Sequence, residues 1–207
     1  MSLPVNIEDA VTKQTAKVTE NKALLVSVLP YPALGEQKSR VFRQYFTSTG
    51  LSTGSNDMGV DGSSTPANFF IPASATDDRY IANLSFIVGY GTTGEPHEFA
   101  DGTVLTNGVR LYYVSDQGEI DVHDGIKSNQ DLMRMSLAPV TSAWEIRHVN
   151  ATNDYGYFVS MDLTKVQPPY GLKLDAGSNQ RLYLTVRDNA TNADSFNCIA
   201  YGFDRFK

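Results

Sequence analysis

Residues 79–90, RYIANLSFIVGY, form a strand-like run rich in aromatic and β-branched residues. In a β-strand, successive side chains point to opposite faces of the sheet. This alternation places four apolar side chains on one face: Tyr80, Leu84, Phe86 and Val88. Ile81 and Ile87 fall on the other face. The run therefore predicts a strand that is buried on both sides for part of its length.

Strand signals continue along the chain on both sides of this run. Seven further segments combine β-branched and aromatic residues with flanking turn residues: 41–46, 68–71, 109–114, 143–149, 155–163, 181–188 and 196–203. The third follows Asn107-Gly108, a pair typical of tight hairpin turns because both residues tolerate positive φ. Residues 127–135 break the pattern, since Ser128 and Asp131 have capping-box spacing and predict a short helix of two turns.

The spacing of these elements leaves no room for the long crossovers that parallel sheets need. We therefore predict an all-β fold, an antiparallel two-sheet β-sandwich of jelly-roll type with one short helix and an extended N-terminal arm. An immunoglobulin-like sandwich is less favoured, because 207 residues is about twice the length of that module. The predicted organisation is an arm over residues 1–32, with a short β-hairpin turning at 19–22, and a sandwich domain over 33–207.

Composition narrows the partners that this chain can have. The formal net charge is -6 and no Lys/Arg-rich block occurs, which argues against nucleic acid or an anionic membrane as a partner. The start, MSLPVNIEDA, lacks the positive and apolar regions of a signal peptide. The single cysteine, Cys198, excludes an intramolecular disulfide and fits a reducing cytosol.

One segment, Asp57 to Asn68, resembles the front half of a calcium loop. Asp57 and Asp61 fill positions 1 and 5 of that pattern. However, Gly59 at position 3 has no side-chain oxygen, and Asn68 at position 12 cannot supply a bidentate carboxylate. We therefore favour a long surface loop over a cation site.

A second candidate is the strand-like run from Glu119 to Asp124. Alternation would place Glu119, Asp121 and His123 on one face, where they could hold a metal if a fourth ligand arrived from elsewhere. The alternative, which we favour, is a solvated strand face opposite buried Ile120 and Val122.

No catalytic constellation stands out in the sequence. Nucleophile-elbow, nucleotide-binding, zinc-protease and phosphate-loop signatures are missing from the sequence. The three histidines, His97, His123 and His148, lie near acids and serines in the sequence. In so polar a chain this proximity does not single out a catalytic histidine. Cys198 lies in an apolar strand and is interpreted as a small core residue, and Asp77-Asp78 as part of a turn. We therefore assign no catalytic, cofactor-binding or metal-ligating residue and expect no enzymatic activity.

Tyrosines are the remaining candidates for a binding surface. Seven could line a sugar-binding groove: Tyr80, Tyr90, Tyr112, Tyr113, Tyr155, Tyr157 and Tyr170. Tyrosine is also a good strand former that sits half-buried with a wet hydroxyl. We favour roles in the core or at a subunit interface over a sugar site.

Four stretches resemble virion structural proteins of tailed bacteriophages: VTENKALLVSVLPYP (18–32), NDMGVDGSSTPANFFIPA (56–73), VRLYYVSDQGEIDVHDGIKSNQDLMR (109–134) and SFNCIAYGFDRF (195–206). The resemblance covers nearly the whole chain and rests on no defined functional motif. It implies a non-enzymatic particle component without a cofactor, found in the virion and assembled in the cytoplasm of the bacterial host.

Within that class, the resemblance implies a capsid decoration or cement protein. Such proteins are frequently jelly rolls that form trimers or other homo-oligomers and clamp neighbouring capsid subunits through arms and loops. The expected partners are other virion proteins, namely the major capsid protein or proteins of the tail or neck. The alternative is a tail, neck or baseplate component that binds a receptor or carbohydrate through exposed tyrosines.

Overall fold

The structure, a computed structural model, describes residues 6–8, 15–17, 39–49, 57–90, 97–100, 102–137, 141–148 and 155–206. The chain divides into two compact units, Met1–Gln37 and Lys38–Lys207. In the first unit, β1 (Asn6–Glu8) pairs antiparallel with β2 (Thr15–Lys17). The arm boundary predicted at residue 32 and the hairpin turn predicted at 19–22 lie outside the described residues.

The second unit contains a six-stranded antiparallel sheet. Its strands are β3 (Ser39–Tyr45), β5 (Asp77–Tyr90), β8 (Thr141–His148), β9 (Tyr155–Asp162), β10 (Leu172–Leu174) and β12 (Ser195–Phe206). The order across the sheet is β3-β12-β5-β9-β8, and β10 pairs with the first part of β5. A 3-10 helix, Leu163–Lys165, follows β9.

The second sheet of this unit has four antiparallel strands. They are β4 (Ala67–Pro72), β6 (Val109–Ser115), β7 (Gly118–Ile126) and β11 (Arg181–Val186), in the order β4-β11-β6-β7. The short helix α1 (Asn129–Leu137) follows β7. The predicted all-β, two-sheet fold with one short helix is confirmed.

The core lies between the two sheets and is built from rows of paired residues. In the six-stranded sheet, Phe86 pairs with Val159 on one side and Cys198 on the other. In the four-stranded sheet, Leu184 pairs with Phe69 and Leu111. All six side chains are buried and belong to one apolar cluster. Burial of apolar area between the sheets is therefore the main stabilising term of the sandwich.

A β-bulge interrupts β5 at Ala82. Opposite β12, Asn83 pairs with Tyr201 and Ile81 pairs with Gly202, so Ala82 is an additional residue in β5. The extra residue reverses the alternation, and Ile81 therefore faces the core together with Leu84. The prediction that Tyr80 shares a face with Leu84 is wrong for this reason, while Leu84, Phe86 and Val88 do share the buried face.

Two glycines make room for the bulge. A Cβ at Gly202 would lie 1.8 Å from the carbonyl oxygen of Tyr80. A Cβ at Gly171 would lie 2.2 Å from the carbonyl oxygen of Ile81, and Gly171 also has a φ of +89°. Both positions therefore require glycine because the backbone of β5 approaches so closely.

The predicted helix start is confirmed. Ser128 Oγ accepts a hydrogen bond from the backbone N–H of Asp131 at 3.2 Å, and the carboxylate of Asp131 accepts from the backbone N–H of Lys127 at 2.9 Å. The Asn107–Gly108 turn precedes β6, but the hairpin from β6 to β7 closes at Asp116-Gln117. Strand β10 was not predicted, because three residues carry too little periodicity.

We predict that Gly202→Ala destabilises the domain by about 3 kcal/mol, because the new methyl group must push the bulge of β5 away. Urea unfolding followed by circular dichroism measures the free energy of unfolding. The control is Ser39→Ala, at an exposed residue that begins β3, and it should change that free energy by less than about 0.5 kcal/mol. Equal stability of both variants would contradict the role assigned to Gly202.

Candidate functional site

The two aspartates of the calcium-like segment are engaged in local hydrogen bonds. Asp57 Oδ1 accepts from the backbone N–H groups of Gly59 at 2.9 Å and Phe196 at 2.7 Å. Asp61 Oδ1 accepts from the backbone N–H and the hydroxyl of Ser63, at 3.0 and 2.6 Å, and these bonds lower the pKa of Asp61. The two carboxylates thus close turns, and Asp57 also ties the segment to β12.

The same segment is packed more firmly than a loop prediction suggests. Met58 is fully buried, and its backbone N–H donates to the carbonyl of Phe196 at 2.6 Å. The backbone N–H of Gly62 donates to the carbonyl of Asp188 at 2.8 Å. Among the described residues, no group of three His, Cys, Asp or Glu side chains is placed to hold a metal ion.

The three candidate ligands of β7 do not share one face. A register shift pairs Asp121 with Tyr112 but His123 with Leu111, so Val122 is an extra residue between them. Because Tyr112 and Leu111 are neighbours on β6, they face opposite sides of the sheet. His123 is half-buried, and burial lowers the pKa of its imidazole. The bulge therefore separates His123 from the two acids.

Two acids of β7, Glu119 and Asp121, bind an arginine instead. Arg110 Nε lies 2.6 Å from Asp121 Oδ1, and its Nη1 lies 2.8 Å from Glu119 Oε2. The prediction that Ile120 is buried is wrong, because its side chain is 55% exposed. Ile120 lies on β7, the last strand of the four-stranded sheet, and pairs with Tyr113 of β6.

The remaining titratable candidates lie on different elements of the domain. His97 is exposed, and the side chain of His148 lies outside the described residues. Cys198 is buried in the core, and burial raises the pKa of its thiol, which disfavours the reactive thiolate. The interpretation of Asp77-Asp78 as part of a turn is wrong, because both residues begin β5 and pair with β12. Asp77 is buried, whereas Asp78 forms an ion pair with Lys173 at 2.9 Å.

Three of the aromatic side chains form a row on the outer face of the four-stranded sheet. This aromatic row consists of Phe70, Tyr183 and Tyr112, on β4, β11 and β6. Their ring centroids are 5.3 and 5.2 Å apart, and Tyr183 and Tyr112 are stacked with an interplanar angle of 10°. Arg181 lies over Phe70 at 4.5 Å and Arg110 lies over Tyr112 at 4.2 Å.

The aromatic row therefore has its ring faces occupied within the fold. Tyr112 has Tyr183 stacked beside it and Arg110 over its ring, and only 9% of Tyr112 is exposed. A sugar-binding platform needs an open aromatic face on which the apolar side of a sugar ring can stack. The contacts of the row stabilise the sheet and leave less of these ring faces open to a ligand.

Other tyrosines are also packed against protein. Tyr80 stacks on Phe203 at 4.9 Å, and Tyr170 meets Tyr80 edge-to-face at 5.7 Å. Tyr157 is buried in the core. Tyr113 is partly buried and packs against the same apolar core. The side chains of Tyr90 and Tyr155 lie outside the described residues.

A buried ion pair, which the sequence analysis missed, connects four strands. Arg79 on β5 binds Asp204 on β12 through two parallel contacts, Nε to Oδ1 at 2.8 Å and Nη2 to Oδ2 at 3.0 Å. Arg79 Nη1 also donates to the carbonyl oxygen of Pro72 on β4 at 2.9 Å. The guanidinium lies over the ring of Phe42 on β3 at 4.9 Å. The sequence indicates that Arg79 is buried only if the bulge at Ala82 is recognised, because the bulge turns Arg79 inward.

Comparison of the chain with models of known protein families, with curated proteins and with solved structures finds no match. Over the part of the chain that the structure describes, no helix has the length and apolar character needed to cross a membrane.

We predict that Asp204→Asn destabilises the domain by about 3–5 kcal/mol, because it leaves the buried guanidinium of Arg79 without a carboxylate. The matched control is Asp121→Asn, which weakens the exposed pair with Arg110 and should cost less than about 1 kcal/mol. Urea unfolding of the two variants gives the comparison. A loss at Asp204 no larger than that at Asp121 would contradict the structural role of the buried pair.

Proposed function

We infer that the sandwich domain is a jelly roll, and we propose that the chain is a non-enzymatic structural protein of a tailed-bacteriophage particle. Within the particle, we propose that it acts as a decoration or cement protein that stabilises the head through subunit contacts. The strand order of the domain is the observation that carries this proposal.

The strand order supports a jelly roll because the pairs of strands are those that arise when one long hairpin of eight strands folds over on itself. If β3, β4, β5, β6, β7, β9, β11 and β12 are numbered one to eight, the first pairs with the eighth and the second with the seventh. The third pairs with the sixth, and the fourth with the fifth. One sheet then has the order 1-8-3-6 and the other 2-7-4-5. β8 and β10 extend the first sheet.

The jelly roll connects fold to function only as an analogy, since the architecture serves both viral capsid proteins and lectins. The covered ring faces of the aromatic row favour the first of these uses over sugar binding. The resemblance of the four sequence stretches to phage virion proteins points in the same direction. Together, these observations support a role in particle assembly.

The proposal predicts that this chain is present in purified particles at a copy number comparable to that of the major capsid protein. Quantitative mass spectrometry of particles purified from the source phage measures that ratio. A few copies per particle would favour the tail, neck or baseplate alternative. Absence from washed, intact particles would contradict a virion role altogether.

We further predict that deletion of residues 1–20 leaves a folded domain that no longer enters particles. The residues removed belong to the first compact unit, Met1–Gln37, so the fold of Lys38–Lys207 should persist. Arms of this kind bind by adding a strand to the sheet edge of a neighbour. Circular dichroism checks the fold, and particle pull-down measures incorporation. Normal incorporation of the truncated protein would refute the arm role.

A further inference from the structure

Each sheet of the sandwich domain has two edge strands, β3 and β8 in the six-stranded sheet and β4 and β7 in the four-stranded sheet. Of these, β3 and β7 are edges with an exposed large apolar side chain. β3 is the first strand of the six-stranded sheet and β7 the last strand of the four-stranded sheet. Within the described residues, each of these two strands pairs on one side only. An edge strand presents unpaired backbone groups and is a natural surface for association with another chain.

The two edges lie on opposite sides of the sandwich. After β3 the chain runs to Thr47, whose carbonyl accepts a hydrogen bond from the backbone N–H of Phe70 on β4 at 3.0 Å. β3 and β4 therefore share one side. Helix α1 contacts β7, β8 and β9, so these strands share the other side. A contact between the β3 edge of one copy and the β7 edge of another is therefore head-to-tail rather than symmetric.

Each edge exposes one large apolar side chain. Val41 on β3 is 82% exposed, and Ile120 on β7 is 55% exposed. Both positions are unusual for strand residues in this domain, whose other apolar side chains are mostly buried. Contact between Val41 and Ile120 edges would remove both side chains from water.

The charges of the two edges are complementary. β3 carries Arg40 and Arg43 and no acid, whereas β7 carries three carboxylates and no Lys or Arg: Glu119, Asp121 and Asp124. Arg40 shares the carboxylate of Asp204 with Arg79, which leaves an excess of positive charge near β3. The three acids of β7 share Arg110 and Arg187, which leaves an excess of negative charge there.

We propose that the β3 edge of one copy binds the β7 edge of a second copy of this chain. The contact deepens the proposed function, because it supplies the homo-oligomer through which such a particle protein would act. Only Gly118–Asp121 of β7 is in regular register with β6, since the shifts lie further along the strand. The docking segment of β7 is therefore the part that contains Ile120.

Two single variants test this contact in the purified full-length protein, with its mass measured by light scattering after size exclusion. Val41→Glu disables the β3 edge and Ile120→Glu disables the β7 edge. Each variant alone should lose assembly and have the mass of a single 22.7 kDa chain. An equimolar mixture should form a dimer of one copy of each, because one intact edge of each kind remains.

The matched control is Val104→Glu, which changes a valine that is 56% exposed in the loop before β6. It should assemble like the wild-type protein. A monomeric wild-type protein, assembly by either edge variant alone, or a monomeric mixture would overturn the proposed contact. So would loss of assembly in Val41→Glu but not in Ile120→Glu, which indicates a symmetric β3 contact.

Failure of this contact and failure of the proposed function give different results. Incorporation of a monomeric Val41→Glu protein into particles would show that the edge contact is not needed for particle assembly, and it would leave the virion role intact. Assembly of the wild-type protein through both edges, combined with its absence from particles, would support the contact and refute the virion role.

Discussion

The β-bulge at Ala82 is the constraint on which the rest of the domain depends. If Ala82 continued the regular pairing instead of bulging, the alternation that buries Leu84, Phe86 and Val88 would turn Arg79 and Ile81 outward. Because Ala82 bulges, Ile81 enters the core and Arg79 reaches Asp204, while Tyr80 turns outward to stack on Phe203. Gly202 and Gly171 allow the close approach of the backbone that the bulge requires. The bulge thus positions both the buried ion pair and the aromatic contacts outside it.

The sequence predicted the fold class and most strands, because alternation over six or more residues is a strong signal wherever one face is buried. It could not predict the faces of residues next to a bulge. For this reason Tyr80 was placed on the core face and Ile81 on the opposite face, the reverse of what the structure has. For the same reason His123 was placed on one face with Glu119 and Asp121. Ile120 was expected to be buried because alternation does not reveal which strand ends a sheet. The pair of Arg79 and Asp204 joins residues that lie 125 positions apart, beyond any local pattern.

Charged and aromatic groups divide into two kinds in this domain. Those of the buried pair and of the aromatic row are satisfied by partners within the fold, such as Arg79 with Asp204 and the ring of Tyr112 with Tyr183 and Arg110. At the β3 and β7 edges, apolar side chains remain exposed beside charges of one sign. The contacts that stabilise the fold are therefore concentrated inside the sandwich, and we propose that association uses the β3 and β7 edges. This division suits a protein whose proposed role is assembly rather than catalysis.

Cryo-electron microscopy of intact particles tests the central proposal most directly, because one map shows both the fold and its neighbours. The account predicts density for an eight-strand jelly roll on the particle, with adjacent copies meeting through the strands that contain Val41 and Ile120. Particles whose density is fully explained by other proteins would contradict it. So would copies of this chain that touch only through the outer faces of their sheets.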